Sequence, residues 1–488
     1  MSINHSGSTM GRRGPALVVL CFVQFMLVLD DNVVSVALPS VQKDLGFSTT
    51  GLTWVVNAYF LAFGGLLMLF GRLADLVGRR RVFLGGVALF GAASLAGGIA
   101  QEPWQLVAAR FVQGAGSAMA SPASLALIAL LFPEAGERAK ALGIWGGIAG
   151  LGGTTGLVIS GALTDLASWR WTFLINIPVA VLAVALLPRL VSESRATHRT
   201  RLDVPGSVLG TGAVLALVYG LLQARESGWG GAAVIGPLLL AAVLAAAFLV
   251  VEARTAEPLV PLPFLASRTR AVANVTMLLF SAALYAMAFL LMMHLQKVLG
   301  YEPLQTGVAY LPYCAGILAG MWLSSRAVIR LGVRRTLVIS IPITAAGLVL
   351  LSGIAPGDDY ASGVLPGMLV TSVANGLSLP VLTVAALTGT TEEDAGLGSA
   401  LLSSVQQVGG AVGVAVLVTL AALRSDAVSG SADPPHAATE GFSLAMLIAA
   451  ALIALGAVLV AALLRSPRDS GDAPPLAHGT ADQSSAVR

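Results

Sequence analysis

Apolar stretches of about twenty residues, separated by short polar turns, follow one another along nearly the whole chain. They predict fourteen helices, at approximately 16–38, 52–70, 82–100, 104–132, 141–163, 171–190, 205–223, 232–251, 271–296, 305–325, 336–354, 363–388, 398–423 and 441–464. A helix needs about 20 apolar residues to cross the hydrocarbon core of a bilayer. The apolar positions run nearly all round each helix rather than along one stripe, so the helices face lipid and one another. Composition agrees: of 488 residues, 56% are hydrophobic and 11% charged, against about 25% charged in a soluble domain. A large soluble protein is excluded, and the fold class is an all-α polytopic membrane protein. The first run follows Arg12 and Arg13 as a signal-peptide core would, but it is too long, lacks a small-x-small cleavage site and contains Asp30 and Asp31. Cys21 and Cys314 both lie in apolar runs and imply no disulfide framework.

Charge then supplies an orientation. With the N-terminus in the cytoplasm and alternating spans, the cytoplasmic segments hold 22 of the 28 lysines and arginines. The outer loops hold Lys43, Arg170, Arg225, Lys297 and Arg424, and Arg110 is left inside a span. That asymmetry is the positive-inside rule. It accounts for the net charge of +3 without a nucleic-acid partner. Both termini fall in the cytoplasm of a multi-pass protein of the cell membrane. The tail after Leu464 has the composition of a disordered segment, and the Ser, Gly, Ala and Pro content of the outer loop 425–439 reads as mobile.

Two basic turns repeat. Gly78-Arg79-Arg80-Arg81 follows the second span, and Gly332-Val333-Arg334-Arg335 follows the tenth, 254 residues later. Spans 1–6 therefore correspond to spans 9–14, with spans 7 and 8 inserted. The predicted organisation is a cytoplasmic segment 1–15, a six-helix bundle 16–190, two inserted helices 205–251, a second six-helix bundle 271–464 and the tail 465–488. Pseudo-symmetric halves are characteristic of secondary transporters, whose substrate site lies at the interface between repeats. A chance recurrence among basic cytoplasmic loops is the competing explanation.

The motifs carry a family resemblance. Gly71-Arg72-Leu73-Ala74-Asp75-Leu76-Val77-Gly78-Arg79-Arg80-Arg81 resembles the cytoplasmic signature of the major facilitator superfamily. Leu29-Asp30-Asp31-Asn32-Val33-Val34-Ser35-Val36-Ala37-Leu38-Pro39, the stretch Leu106–Gly116 around Arg110, and the stretch Ser168–Pro178 resemble first-, fourth- and sixth-span motifs of its fourteen-span drug:proton antiporters. The resemblance covers essentially the whole chain. It implies export of small organic compounds by proton antiport and alternating access, with no enzymatic activity, cofactor or metal. A dedicated exporter of a self-made metabolite such as an antibiotic, and a transporter-like membrane sensor, are the alternatives. The implied partners are a hydrophobic or cationic small molecule, protons and the lipid bilayer, and the unit is a monomer. Three departures from the pattern stand out. Asn32 and Ser35 replace a threonine and an asparagine. Gly156-Leu157-Val158-Ile159-Ser160-Gly161 lacks the proline and one glycine of the antiporter motif, which weakens the antiport assignment. Ile329 stands where Asp75 stands in the first half.

The candidate residues can also be read from their chemistry. An ionised side chain in a span costs about 2.5–3.5 kcal/mol on insertion scales and is functional by default. Asp30 lies about 12 Å, Arg110 about 9 Å and Asn57 about 8 Å from the outer end of their spans, at 1.5 Å per residue. Gln113 is one turn from Arg110, on the same face. The four predict a polar cluster that serves proton coupling or substrate, or else a static ion pair that only orders the helices. Asp31 lies about 100° round the helix from Asp30, so the two cannot face one partner, and Asp31 is a second candidate proton carrier or else faces the aqueous mouth. Gly71, Asp75, Gly78, Arg79 and Arg80 form either an inner gate, as the resemblance implies, or a solvated turn that sets topology. Gly152, Gly156 and Gly161 belong to a fifth span whose glycine spacing suits close helix packing. In the second half, Tyr285, Tyr310, Asn375 and Gln406 are candidates for the cavity wall or for plain interhelical hydrogen bonds, and His294 reads as interfacial. No Gly-Lys pair is present, so no phosphate-binding loop of the G-K-[ST] type and no ATP-driven pump is implied.

Overall fold

The computed structural model describes residues 7–194, 203–255, 258, 264, 266–355, 357–388, 392–430 and 433–464. The tail 465–488 and the first six residues lie outside them. The first half contains α1 (Gly7–Leu45), α2 (Thr49–Val77), α3 (Arg79–Gly98), α4 (Pro103–Leu131), α5 (Ala135–Leu166), α6 (Trp171–Leu174) and α7 (Asn176–Leu190). Two helices follow, α8 (Val204–Ser227) and α9 (Ala232–Arg254). The second half contains α10 (Arg268–Lys297), α11 (Pro303–Ala309), α12 (Leu311–Ser352), a π-helical turn at Tyr360–Val364, α13 (Leu365–Ala386), α14 (Glu392–Val428) and α15 (Pro434–Leu463). Among the described residues, 12 helical segments are long and apolar enough to cross a membrane.

The helices overrun the predicted apolar runs because a hydrogen-bonded helix does not stop where lipid does. α6 and α7 share one predicted span and part at Ile175. Pro178 has no N–H to offer the Leu174 carbonyl, so the hydrogen-bond ladder is interrupted there. The 425–439 loop is a correction: α14 continues to Val428 and α15 begins at Pro434. Asp433 stands at the N-cap, a proline occupies the first helical position, and Arg424 pairs with Glu440 at 2.8 Å across the turn.

The repeat is visible in backbone geometry. Gly78 (φ 128°) and Gly332 (φ 79°) both take left-handed conformations at the two basic turns. Gly332 is the non-helical residue inside α12, so this one position turns one helical stretch into the next. L-residues with a Cβ rarely adopt such φ values.

Packing repeats too. In the first half α1 packs on α5 and α7, α4 on α2 and α3, and α3 on α7. In the second half α10 packs on α14 and α15, and α12 on α13 and α15. The halves meet where α2 lies on α14 and α5 on α11. These pairings exchange under the repeat, as a pseudo-twofold interface requires. α8 and α9 pack on each other, and α8 rests against α2 and α14. The bundle has two ends. Arg79, Arg80, Arg81, Arg334 and Arg335 mark the arginine-rich end, and the turns after α1 and α3 mark the Asp44 end.

Candidate functional site: a buried carboxylate network and a basic turn

Asp30 sits in the middle of α1 and Arg110 in α4, and the two are 0% and 1% exposed. Arg110 Nη1 donates to Asp30 Oδ2 at 2.6 Å and to Gln113 Oε1 at 3.0 Å. Its Nε donates to the Val55 carbonyl of α2 at 2.9 Å. Gln113 Nε2 donates to Asp30 Oδ1 at 3.2 Å and to Ser94 Oγ at 2.8 Å. Asn176 Nδ2, at the start of α7, donates to Asp30 Oδ1 at 2.7 Å. The guanidinium lies 4.3 Å from the centroid of the Tyr59 ring, and the Tyr59 hydroxyl donates to Ser117 Oγ at 2.9 Å. Helices α1, α2, α3, α4 and α7 thus meet in one buried network, and both oxygens of its carboxylate are occupied by donors from α4 and α7. A buried ion pair repays desolvation only when its remaining lone pairs and protons are satisfied in this way.

The network includes Asp30, Arg110 and Gln113 and leaves out Asn57. Asn57 is fully buried on α2, and neither amide atom finds a partner among the described residues. Asp31 lies on α1, one residue on, with a side chain outside the described ones. Asn176 and Ser94 are members that sequence reasoning missed. Asn176 falls inside one of the family motifs, but the period of α7 carries no hint that it points at α1. The network is enclosed by α3 and α7 from behind, so in this structure Asp30 and Arg110 face the inside of the first bundle rather than an open cavity.

At the arginine-rich end, Asp75 accepts from Arg79 Nε at 2.9 Å and lies 2.8 Å from its Nη2. Arg80 and Arg81 turn elsewhere, to Glu193 at 3.8 and 3.6 Å. Glu193 Oε1 also accepts from the Arg80 backbone N–H at 3.1 Å. Arg72 donates to the Pro258 carbonyl. The arginines of this turn are therefore divided: Arg79 goes to Asp75, and Glu193 takes Arg80 and Arg81. Glu193 also explains Gly78: a Cβ there would come within 2.5 Å of its carboxylate. Gly71 is no close approach, since a Cβ would meet nothing nearer than Pro122 at 3.9 Å among the described residues.

In α5, Gly152 lies against α1, where a Cβ would come 3.1 Å from the Phe25 carbonyl, and Gly161 lies against α11. Gly156 is buried between them. In the second half the polar residues pair with neighbouring helices. The Tyr285 hydroxyl donates to Gln407 Oε1 at 3.2 Å, and its ring stands edge-on to Phe60 of α2 at 4.8 Å. The residue facing Tyr285 is thus Gln407, whereas Gln406 is half-buried beside it. The Tyr310 hydroxyl donates to the Ala288 carbonyl at 2.9 Å. Asn375 Nδ2 donates to the Tyr313 hydroxyl at 3.2 Å. His294 is 4% exposed and packs on Phe442 of α15 at 4.9 Å. Helix α15 covers the face that the sequence alone leaves open to water.

The sequence model of the Major Facilitator Superfamily matches residues 20–414. The chain is 40% identical to the puromycin resistance protein of Streptomyces alboniger, over 94% of this chain and 93% of that one. It is 39% identical to the lincomycin resistance protein of Streptomyces lincolnensis, over 94% of each. It is 39% identical to the cephamycin export protein of Amycolatopsis lactamdurans, over 83% and 84%. Among solved structures, it resembles in fold a bacterial homologue of the human lysosomal transporter Spinster, with a TM-score of 0.64, 16% identity and coverage of 92% and 96%. Buried charge at mid-span, paired halves, basic turns on positive-φ glycines and these matches converge on a transporter rather than an enzyme: the chain belongs to the major facilitator superfamily and is homologous to its antibiotic and multidrug efflux proteins.

Proposed function

We propose that this protein exports small organic compounds across the cytoplasmic membrane in exchange for protons, as a monomer that opens alternately to either side. We read the helices as fourteen spans. The stretch Pro303–Ser352 is 50 residues long, enough for two crossings, and it turns at Gly332. α5, 32 residues long, lies beside α1 along the bundle. The arginine-rich end then faces the cytoplasm, with both termini, and the Asp44 end faces outward. The units 16–190 and 271–464 are the moving halves, with 205–251 as an addition at their seam.

The observation that carries proton coupling is Asp30, a carboxylate at mid-span that takes hydrogen bonds on both oxygens from Arg110, Gln113 and Asn176. Protonation would cancel its attraction for Arg110 and loosen α1 from α4 and α7. Asp31 is the neighbouring acid that could share this role. Gly71, Asp75, Gly78, Arg79 and Arg80 form the inner gate, and Tyr285, Asn375 and Gln406 lie on the helices that would line the path.

The substrate is a hydrophobic or cationic compound. A dedicated antibiotic exporter is the second reading, favoured by relatives named for puromycin and lincomycin resistance and for cephamycin export. The test is uptake into everted vesicles under an imposed pH gradient, acid inside, with puromycin, lincomycin and a fluorescent cation as separate probes. The wild type accumulates at least one of them and releases it when the gradient is collapsed. Asp30→Asn binds but does not accumulate. Accumulation indifferent to the gradient would overturn proton exchange.

A further inference from the structure

Among the described residues, three hydrogen bonds cross between the halves at the Asp44 end. Lys297 Nζ, at the end of α10, donates to Gln42 Oε1 of α1 at 2.6 Å. Its neighbour Gln296 Nε2 donates to the Val36 carbonyl of α1 at 2.9 Å. Asp165 Oδ2, at the end of α5, accepts from the Leu304 backbone N–H of α11 at 2.7 Å. Gln42 is itself steadied by a bond from its Nε2 to the Phe47 carbonyl at 3.2 Å. The same helices touch backbone to backbone. A Cβ on Gly161 would come 2.6 Å from Leu304 Cα, and one on Gly307 would come 2.5 Å from the Leu157 carbonyl oxygen. At the opposite end, Asp75, Arg80 and Arg81 are engaged with Arg79 and Glu193 of their own half.

We propose that Asp165, Gln296 and Lys297 are the latch that holds the two halves shut at the Asp44 end. The contacts are polar and sit where water can replace them, since Lys297 and Asp165 are exposed. Such bonds exchange with water at small net cost, which suits contacts that break and re-form in every cycle. The glycine crossing beneath them gives the closed state its depth but selects nothing by charge. The polar ties fix the register: α1 against α10 through Lys297 and Gln296, and α5 against α11 through Asp165. Separation of the halves at this end must break all three together. The inference rests on the alternating-access reading, and its test separates the two.

Spin labels on Lys43→Cys and Val308→Cys report the Asp44 end, and labels on Val77→Cys and Ile329→Cys report the arginine-rich end. The native Cys21 and Cys314 are buried and are expected to stay unlabelled. Distances are measured by pulsed electron resonance in lipid nanodiscs. The wild type gives two populations at each end, the short Lys43–Val308 distance coinciding with the long Val77–Ile329 one. Asp165→Ala with Lys297→Met shifts the Asp44-end ratio toward the long distance by about tenfold, for two weak bonds lost. Asp165→Asn, which keeps a carbonyl acceptor, stays near the wild-type ratio. An unchanged ratio in the double variant, with two populations in the wild type, overturns the latch. A single fixed distance at both ends of the wild type, at neutral and at mildly acidic pH, overturns alternating access itself. If the double variant fails to insert, Gln296→Leu alone is measured, with a smaller shift in the same direction expected and no shift overturning the latch.

Discussion

Asp30 and Arg110 are legible as single residues because charge inside a span is costly enough to stand out. Their level along the bundle follows from counting at 1.5 Å per residue. Asn176 and Ser94 are not legible. A small polar residue is cheap in a helix, and the Ser94 hydroxyl donates to its own helix at Phe90, so nothing in composition or period marks which of them faces an acid. Asn57 and Asn176 make a contrast. Asn176→Ala removes a donor to a buried carboxylate and is expected to cost about 1–3 kcal/mol. Asn57→Leu removes no bond and is expected to be neutral or stabilising. Thermal unfolding in detergent ranks the two, and equal losses would show that Asn57 has a partner in solution. Arg110→Lys is not conservative here, since one ammonium cannot reach Asp30, Gln113 and Val55 together. Gradient-driven uptake should fall to near background while membrane insertion persists.

At the Asp44 end, Arg170 and Trp169 both donate to Asp44 and hold its carboxyl below the usual range, Arg170 contributing most. A depressed folded pKa contributes stability above the unfolded value of about 3.9 and loses it as pH falls through the folded one. The pair is half-exposed, so its contribution is about 0.5–1 kcal/mol after solvent screening. Asp44→Asn should therefore lower the unfolding temperature slightly at pH 7, and the difference from wild type should vanish once the medium is acid enough to protonate Asp44 in the folded protein. A difference that persists at that acidity would assign the effect to packing instead of charge.

At the scale of elements, hydropathy finds a helix wherever lipid or protein replaces water, so the runs are readable and their ends are not. A turn made at one residue leaves no polar stretch to read: Gly332 divides α12 without a loop. The two basic turns look interchangeable in sequence and differ in surroundings. Gly78 has Glu193 where a Cβ would go, and Gly332 has nothing within 4 Å among the described residues. Both substitutions meet a left-handed backbone, at about 1–2 kcal/mol. Gly78→Ala must also displace a carboxylate that holds Arg80 and Arg81. It should reduce the folded fraction, read by size-exclusion chromatography, more than Gly332→Ala does. The reverse order would mean that Glu193 moves away at no cost. Glu193 itself is invisible in the sequence, because the loop 188–204 stands out only for its arginines.

Across the whole molecule, the pseudo-symmetric pairing of helices is legible through the repeat of two basic turns alone. Which helices meet across the seam is not, because α2, α5, α11 and α14 are about as apolar as the rest, and contact there depends on glycine positions and shape. The asymmetry between the ends bears on the gate proposed at Asp75. In this structure Asp75 is occupied by Arg79, four residues along its own turn. Its work across the seam would belong to the state in which the arginine-rich end closes. Asp75→Asn should leave topology intact, since the arginines remain, and should slow transport severalfold with little change in substrate affinity. Normal turnover by a well-expressed variant would leave Asp75 as a solvated turn residue.

The Asp30–Arg110 pair sums to zero charge. If Asp30 is the proton carrier, loading it makes the cluster cationic, and each inward passage of that proton carries one positive charge through the membrane potential. One elementary charge across 100 mV is worth about 2.3 kcal/mol, or about fiftyfold in an accumulation ratio. Exchange of one proton for an uncharged compound is then electrogenic and is driven by an inside-negative voltage even with no pH difference. Exchange of one proton for a monovalent cation is electroneutral and is indifferent to voltage. A potassium–valinomycin clamp thus distinguishes the charge of the cargo by the current it produces.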